Sequence, residues 1–193
     1  MIKDNQKYFN RLHLLIDAAV IAISYSLAWL IKFATPLSDT EPGVTALSVE
    51  TYFSALYFIV PGYVLLYYVF NMYTPKRATR RKYEIAGIIK ANTVGTMLFM
   101  VVLYAFKIEH FSRLLVGLFY IMNIVLATFS KTMIRNVLQY FRKKGYNLKY
   151  VLLVGYSRAA EEYITRINAN PQWGYVVRGI LDDRVPSGTL YKG

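Results

Sequence analysis

The chain contains no cysteine. That excludes disulfide bridges, thiolate metal sites and a thiol nucleophile, and it leaves the compartment undecided. Acidic residues are scarce: 11 Asp and Glu stand against 23 Lys and Arg, for a net charge of +12. Polar residues are in the minority, because 55% of the 193 residues are hydrophobic. Apolarity joined to strong basicity points to a membrane protein whose positive charge is packed into its cytoplasmic flanks. Nucleic-acid binding accounts for the charge but not for the apolar runs, so no nucleic-acid partner is expected. The length is that of about one soluble domain, which leaves no room for two complete ones.

What is present in quantity is long apolar sequence. A spanning helix takes about twenty mostly apolar residues, and stretches at about 12–33, 52–73, 85–106 and 114–134 meet that length. Lys3, Lys7 and Arg11 precede the first, as in a signal peptide. Its apolar part is too long for one and runs through Trp29 and Ile31 with no clean cleavage site, so it reads as a retained anchor. The first loop is acidic, with Asp39, Glu41 and Glu50, and the second is densely basic, with Lys76, Arg77, Arg80, Arg81 and Lys82. The third, "KIEHFSR", is short and mixed, and Arg135, Arg142, Lys143, Lys144 and Lys149 follow the last span. Lys and Arg thus alternate sides, which places both termini in the cytoplasm. Tyr52, Phe53 and Tyr57 at one end of the second span, and Tyr67, Tyr68 and Tyr73 at the other, suit the membrane interface. Pro61-Gly62 near its middle is expected to kink that helix.

Asp17 and Lys90 are charges within apolar stretches, which makes each a functional candidate. Both lie about 7–8 Å inside helices entering from the cytoplasm, at 1.5 Å per residue. At equal depth they can pair with each other or reach the interface, whereas transport buries charge near mid-membrane. The expectation is therefore a structural pair or two interfacial residues rather than an ion pathway. Asn92, Thr93, Thr96, Asn123 and Thr128 are expected to bond between helices.

The stretch "KYVLLVGYSRAAEEYITRI", residues 149 to 167, has a different pattern: an apolar run, a glycine, then a helix-like segment. The G-x-G-x-x-G fingerprint needs a tight turn, close approach to a pyrophosphate and close helix–strand packing. Here Gly155 keeps the turn, Ser157 replaces the second glycine and Ala160 stands at the third. Ser157 crowds the phosphate approach, although its hydroxyl can itself bind phosphate. Val176 to Leu181 reads as a second strand ending in Asp182-Asp183, and a carboxylate there is where a ribose hydroxyl would be held. Gly155, Ser157 and Asp182 are therefore the candidate cofactor-binding residues. The bland alternative is a turn glycine and a strand-ending Asp pair. No catalytic residue or metal ligand can be assigned. The fold expected is a membrane four-helix bundle over 1–140 followed by the start of a Rossmann-like α/β domain over 141–193.

"HFSRLLVGLFYIMNIVLATFSKTMIR", "RKKGYNLKYVLLVG" and "INANPQWGYVVRGILDD" resemble the N-terminal half of the large membrane-bound phosphoglycosyl transferases. These polyprenyl-phosphate sugar-1-phosphate transferases begin capsule and exopolysaccharide units. The resemblance implies a multi-pass protein of the bacterial inner membrane. It also implies a parent enzyme that moves a sugar 1-phosphate from a UDP-sugar to undecaprenyl phosphate, releasing UMP, with Mg²⁺ and a carboxylate nucleophile in a later catalytic domain. The chain is then expected to be the N-terminal part of that enzyme, inactive by itself. Membrane lipids, undecaprenyl phosphate and the UDP-sugar are its implied partners, and a homo-oligomer stays open. Two other readings share these features. One is the N-terminal part of a membrane-bound nucleotide-sugar 4,6-dehydratase, and the other a non-enzymatic membrane scaffold.

Overall fold

In the computed structural model the described residues are 2–34, 48–74, 77, 81–107 and 111–184, with side chains described from Arg11 onward. They form α1 (Ile2–Ala34), α2 (Val49–Ser54), α3 (Leu56–Val69), α4 (Arg81–Ala105), α5 (Arg113–Lys143), β1 (Lys149–Val154), α6 (Arg158–Asn168), a 3-10 turn at Pro171–Trp173, and β2 (Tyr175–Leu181). The chain divides into two compact units, Met1–Lys131 and Thr132–Gly193, and α5 runs unbroken across the division. Four segments are long and apolar enough to cross a membrane: Arg11–Ala34, Val49–Val69, Arg81–Ala105 and Arg113–Lys143. The basic cluster at Lys76 and Arg80 and the acidic residues Asp39 and Glu41 lie outside the described residues.

Local chemistry sets the helix ends. Ser48 Oγ accepts the Thr51 N–H at 3.3 Å and opens α2, and Ser112 Oγ accepts the Leu115 N–H at 3.3 Å and opens α5. The second span is divided at Ala55 into α2 and α3, and α3 continues through Pro61-Gly62. Helices in membranes tolerate proline where neighbouring groups take up the freed carbonyl. Asn71, in the left-handed region at φ 54°, ends α3: its N–H bonds the Tyr68 carbonyl at 2.9 Å and the Met72 N–H bonds the Tyr67 carbonyl at 3.0 Å.

The membrane unit packs around aromatic rings. Tyr25 and Tyr63 both meet Phe119 edge-on, with centroids 5.6 and 5.4 Å apart, and the Tyr25 hydroxyl donates to the Tyr52 carbonyl at 2.7 Å. Polar groups then join the helices. Asn92 and Asn123 donate to the Tyr67 hydroxyl at 3.1 and 3.4 Å, and Asn123 also donates to Asn92 Oδ1 at 2.5 Å. Tyr63 and Thr96 hydroxyls bond at 2.9 Å, and Thr93 and Tyr120 at 3.0 Å. Four of the five polar residues expected to bond between helices do so; the buried Thr128 hydroxyl has no such partner.

Of the two arrangements expected for Asp17 and Lys90, the direct pair does not form: Lys90 is exposed, and Asp17 pairs with another lysine. Lys131 Nζ donates to Asp17 Oδ2 at 2.7 Å and to Oδ1 at 3.1 Å. Helical phase explains the exchange. On α4 the buried stripe is Ile88, Ala91, Asn92, Gly95 and Phe99, and Lys90 falls outside it, exposed. On α5 the stripe Phe119, Asn123, Ala127 continues at the same spacing to Lys131.

In the second unit α5 stops at Gly145, whose φ of 88° suits glycine. The Gly145 N–H bonds the Arg142 carbonyl and the Tyr146 N–H bonds the Phe141 carbonyl, both at 3.0 Å, with the Phe141 and Tyr146 rings 6.3 Å apart. β1 and β2 then pair in parallel from Lys149↔Tyr175 to Val154↔Leu181, with a bulge at Arg178. α6 connects them and buries Ala160, Ile164 and Ile167. Gly174 (φ 68°) sits against the Arg142 side chain so closely that an added Cβ would lie 2.9 Å from its Cγ and Cδ. The described residues are mostly helical, with one small parallel two-stranded sheet among them.

Candidate functional site

The residues singled out by the glycine turn meet at the C-terminal ends of the two strands. β1 delivers Gly155, whose φ of 83° makes the turn and whose N–H bonds the Leu181 carbonyl of β2 at 2.7 Å. That bond brings the end of β2 and its following residue, Asp182, alongside the loop. Asp182 Oδ2 accepts the Tyr156 N–H at 2.5 Å, and Oδ1 accepts the Arg184 N–H at 2.8 Å. These two bonds hold the Asp182 carboxyl below the ordinary carboxylate range, the Tyr156 bond contributing most. Ser157 opens α6: its Oγ accepts the Ala160 N–H at 3.3 Å, leaving its own O–H to donate. Glu161, in the first turn of α6, accepts from the Tyr156 hydroxyl.

Gly155, Ser157 and Asp182 therefore share one loop-and-strand-end cluster. Sequence reasoning missed Tyr156 and Arg184, whose backbone N–H groups hold the carboxylate. Glu161, half-buried on α6, joins the cluster through the Tyr156 hydroxyl. Nothing in residue type marks a backbone donor, so only the tertiary pairing of β1 with β2 reveals it. Chemically the cluster offers a fixed carboxylate acceptor, suited to a hydroxyl donor such as a ribose 2′-OH. A phosphate approaching the Tyr156 N–H would compete with Asp182 for it. Among the described residues no group of three His, Cys, Asp or Glu can hold a metal ion.

No curated protein and no solved structure matches the chain. A family model described as the CoA-binding domain matches residues 68–192, and so takes in α4 and α5 as well as β1, α6 and β2. With well over half of its length matched, the chain belongs to the CoA-binding domain family, a domain found in polyprenyl-phosphate sugar transferases and related enzymes.

Proposed function

We propose that the chain is the membrane and Rossmann-like N-terminal part of a sugar transferase, one that moves a sugar 1-phosphate from a UDP-sugar to undecaprenyl phosphate to start exopolysaccharide or capsule synthesis. The observation that carries this reading is the family match over 68–192, which joins two membrane-length helices and the β1–α6–β2 unit in one module. A parallel strand–helix–strand with a glycine turn, a capping serine and a strand-end carboxylate supports the Rossmann-like assignment. In this reading the parent enzyme resides in the bacterial inner membrane. Its catalytic carboxylate and Mg²⁺ lie outside this chain, which anchors the enzyme and holds its nucleotide-binding part near the membrane surface. Both termini face the cytoplasm, following loop charge. A cysteine introduced at Glu50 should then be labelled from outside and one at Lys82 should not; the reverse pattern ends the orientation.

The activity is tested by UMP release from UDP-sugars with undecaprenyl phosphate and Mg²⁺. The extended parent should release UMP only when the lipid is present, and this chain alone should release none. Release by the chain alone, abolished by Asp182→Asn, would move the active site into it. A parent that releases none from any UDP-sugar would end the transferase reading. Nucleotide binding is tested separately with UDP-glucose and with CoA, which share a ribose and a diphosphate. Asp182→Asn should weaken whichever binds, and unchanged affinity would remove Asp182 from the site.

A further inference from the structure

The exposed face of α5 does not end where its apolar core ends. Ile121, Val125, Phe129, Met133, Val137 and Phe141 recur every four residues and are all exposed. Ile121 and Val125 lie opposite the buried Phe119 and Asn123, and each further step of four turns the ridge about 40° round the helix, as 3.6 residues make a turn. Exposed apolar side chains thus continue along the whole membrane-length helix to its last turn. There they are joined by exposed Tyr140 and, past the Gly145 turn, by exposed Tyr146. The three rings form a chain, Tyr140 to Phe141 at 6.0 Å and Phe141 to Tyr146 at 6.3 Å. Lys143 and Lys144 stand among them, with Lys144 Nζ 4.6 Å from the Tyr140 ring centre.

Helix length decides what covers this end. α5 has 31 residues, about 46 Å at 1.5 Å per residue. The hydrocarbon core is about 30 Å and the bilayer with its headgroups about 40–45 Å. A helix of this length that crosses the core carries its last turns into the headgroup layer. Amphipathic rings and lysines are the side chains that layer retains.

We propose that the last two turns of α5 and the Gly145 turn form a docking surface for anionic lipids. The rings of Tyr140, Phe141 and Tyr146 enter the headgroup layer, and Lys143 and Lys144 take lipid phosphates. The surface also tethers the sheet, because Gly174, ahead of β2, packs on the Arg142 side chain of the same turn. The proposal rests on the membrane reading of the four helices, and its test separates the two.

The probe is fluorescence quenching of the full chain in bilayers of brominated phosphatidylglycerol or brominated phosphatidylcholine. One variant carries Trp29→Phe, Trp173→Phe and Tyr146→Trp, so that its single indole reports on the surface. A second carries Trp173→Phe alone and reports insertion through Trp29. The indole at 146 should be quenched more strongly by the anionic lipid. Lys143→Gln and Lys144→Gln should each lower the anionic-to-zwitterionic preference about fivefold, the fold-change for about 1 kcal/mol per cation near a negative surface. Equal quenching by both lipids, or none by either, with Trp29 quenched normally, overturns the proposal. Loss of Trp29 quenching as well would instead overturn the membrane reading.

Discussion

Removing one partner of the Asp17–Lys131 pair should destabilise the membrane unit far more than removing both. The Asp17 side chain is 2% exposed and that of Lys131 11%, and their atoms approach to 2.7 Å. Lys131→Met leaves a carboxylate in an apolar bundle, and breaking a buried pair in this way costs about 3 kcal/mol or more. Asp17→Asn should cost less, about 2 kcal/mol, because Lys131 keeps the Tyr67 and Tyr73 rings, each 5.5 Å from its Nζ. It also stands nearer to the surface. The double variant Asp17→Leu/Lys131→Met buries two apolar groups of similar size and should return to within about 1 kcal/mol of the parent chain. The Asp17→Leu single variant closes the cycle and should cost at least as much as Asp17→Asn, so the coupling should be about 4 kcal/mol or more, well beyond the additivity expected of independent sites. Denaturation in mixed detergent micelles, followed by circular dichroism, measures each corner, and 1.4 kcal/mol is tenfold in the folding constant. Lys90→Met is the control, and on an exposed position it should stay within about 0.5 kcal/mol. Single variants that cost less than this, or a double variant whose loss is the sum of the two, would refute the reasoning.

Tyr67→Phe removes the hydroxyl that accepts from both Asn92 and Asn123, and should cost about 1–2 kcal/mol in the same denaturation assay; a smaller loss than for an exposed Tyr68→Phe would contradict the network. Gly95→Val should destabilise by about 1–3 kcal/mol, since even a Cβ would stand 2.7 Å from Tyr63 Cζ, whereas Gly117→Ala, with open space around it, should be neutral or stabilising. Asp182 should titrate below the ordinary carboxylate value when followed by NMR, because its folded form accepts the Tyr156 and Arg184 N–H groups. A folded pKa below the unfolded value of about 3.9 gives stability that is present above the unfolded value and lost as pH falls through the folded one. A midpoint at or above the unfolded value would dismiss the bond.

The four membrane-length helices were legible because hydropathy is a property of residue type and needs no partner. The charge pairing was not, because it depends on which face of each helix turns inward. Lys131 lies in the same span as Asn123, and the four-residue spacing from Phe119 through Ala127 already pointed to it. Depth alone suggested Lys90, and depth does not distinguish one side of a helix from another. The break in the second span went the same way. Pro61 carries the strongest local signal, yet α3 runs through it and the division falls at Ala55, whose backbone angles are still helical at φ −60° and ψ −26°. In the second unit the order strand, glycine, helix, strand was readable from the apolar runs and from Gly155. That Asp182 closes onto the loop was not, since the donor is a backbone N–H.

That closure bears on how the strand-end cluster can work. Asp182 neither lies loose at the strand end nor faces away from the turn; it holds the loop at Tyr156 while its other oxygen takes Arg184. A ribose hydroxyl can add to this carboxylate as a further donor, because each carboxylate oxygen accepts more than one hydrogen bond. A phosphate cannot add in that way, since it competes for the same N–H and is repelled by the same charge. On the nucleotide-binding function proposed above, the cluster would recognise the sugar of a nucleotide before its phosphates. A ligand that needs the Gly155–Ser157 loop for its phosphate must first open the Asp182 bond, so binding should strengthen in Asp182→Asn for phosphate alone while weakening for a nucleoside. Opposite signs for inorganic phosphate and uridine would support that division of roles, and a parallel loss of both would refute it.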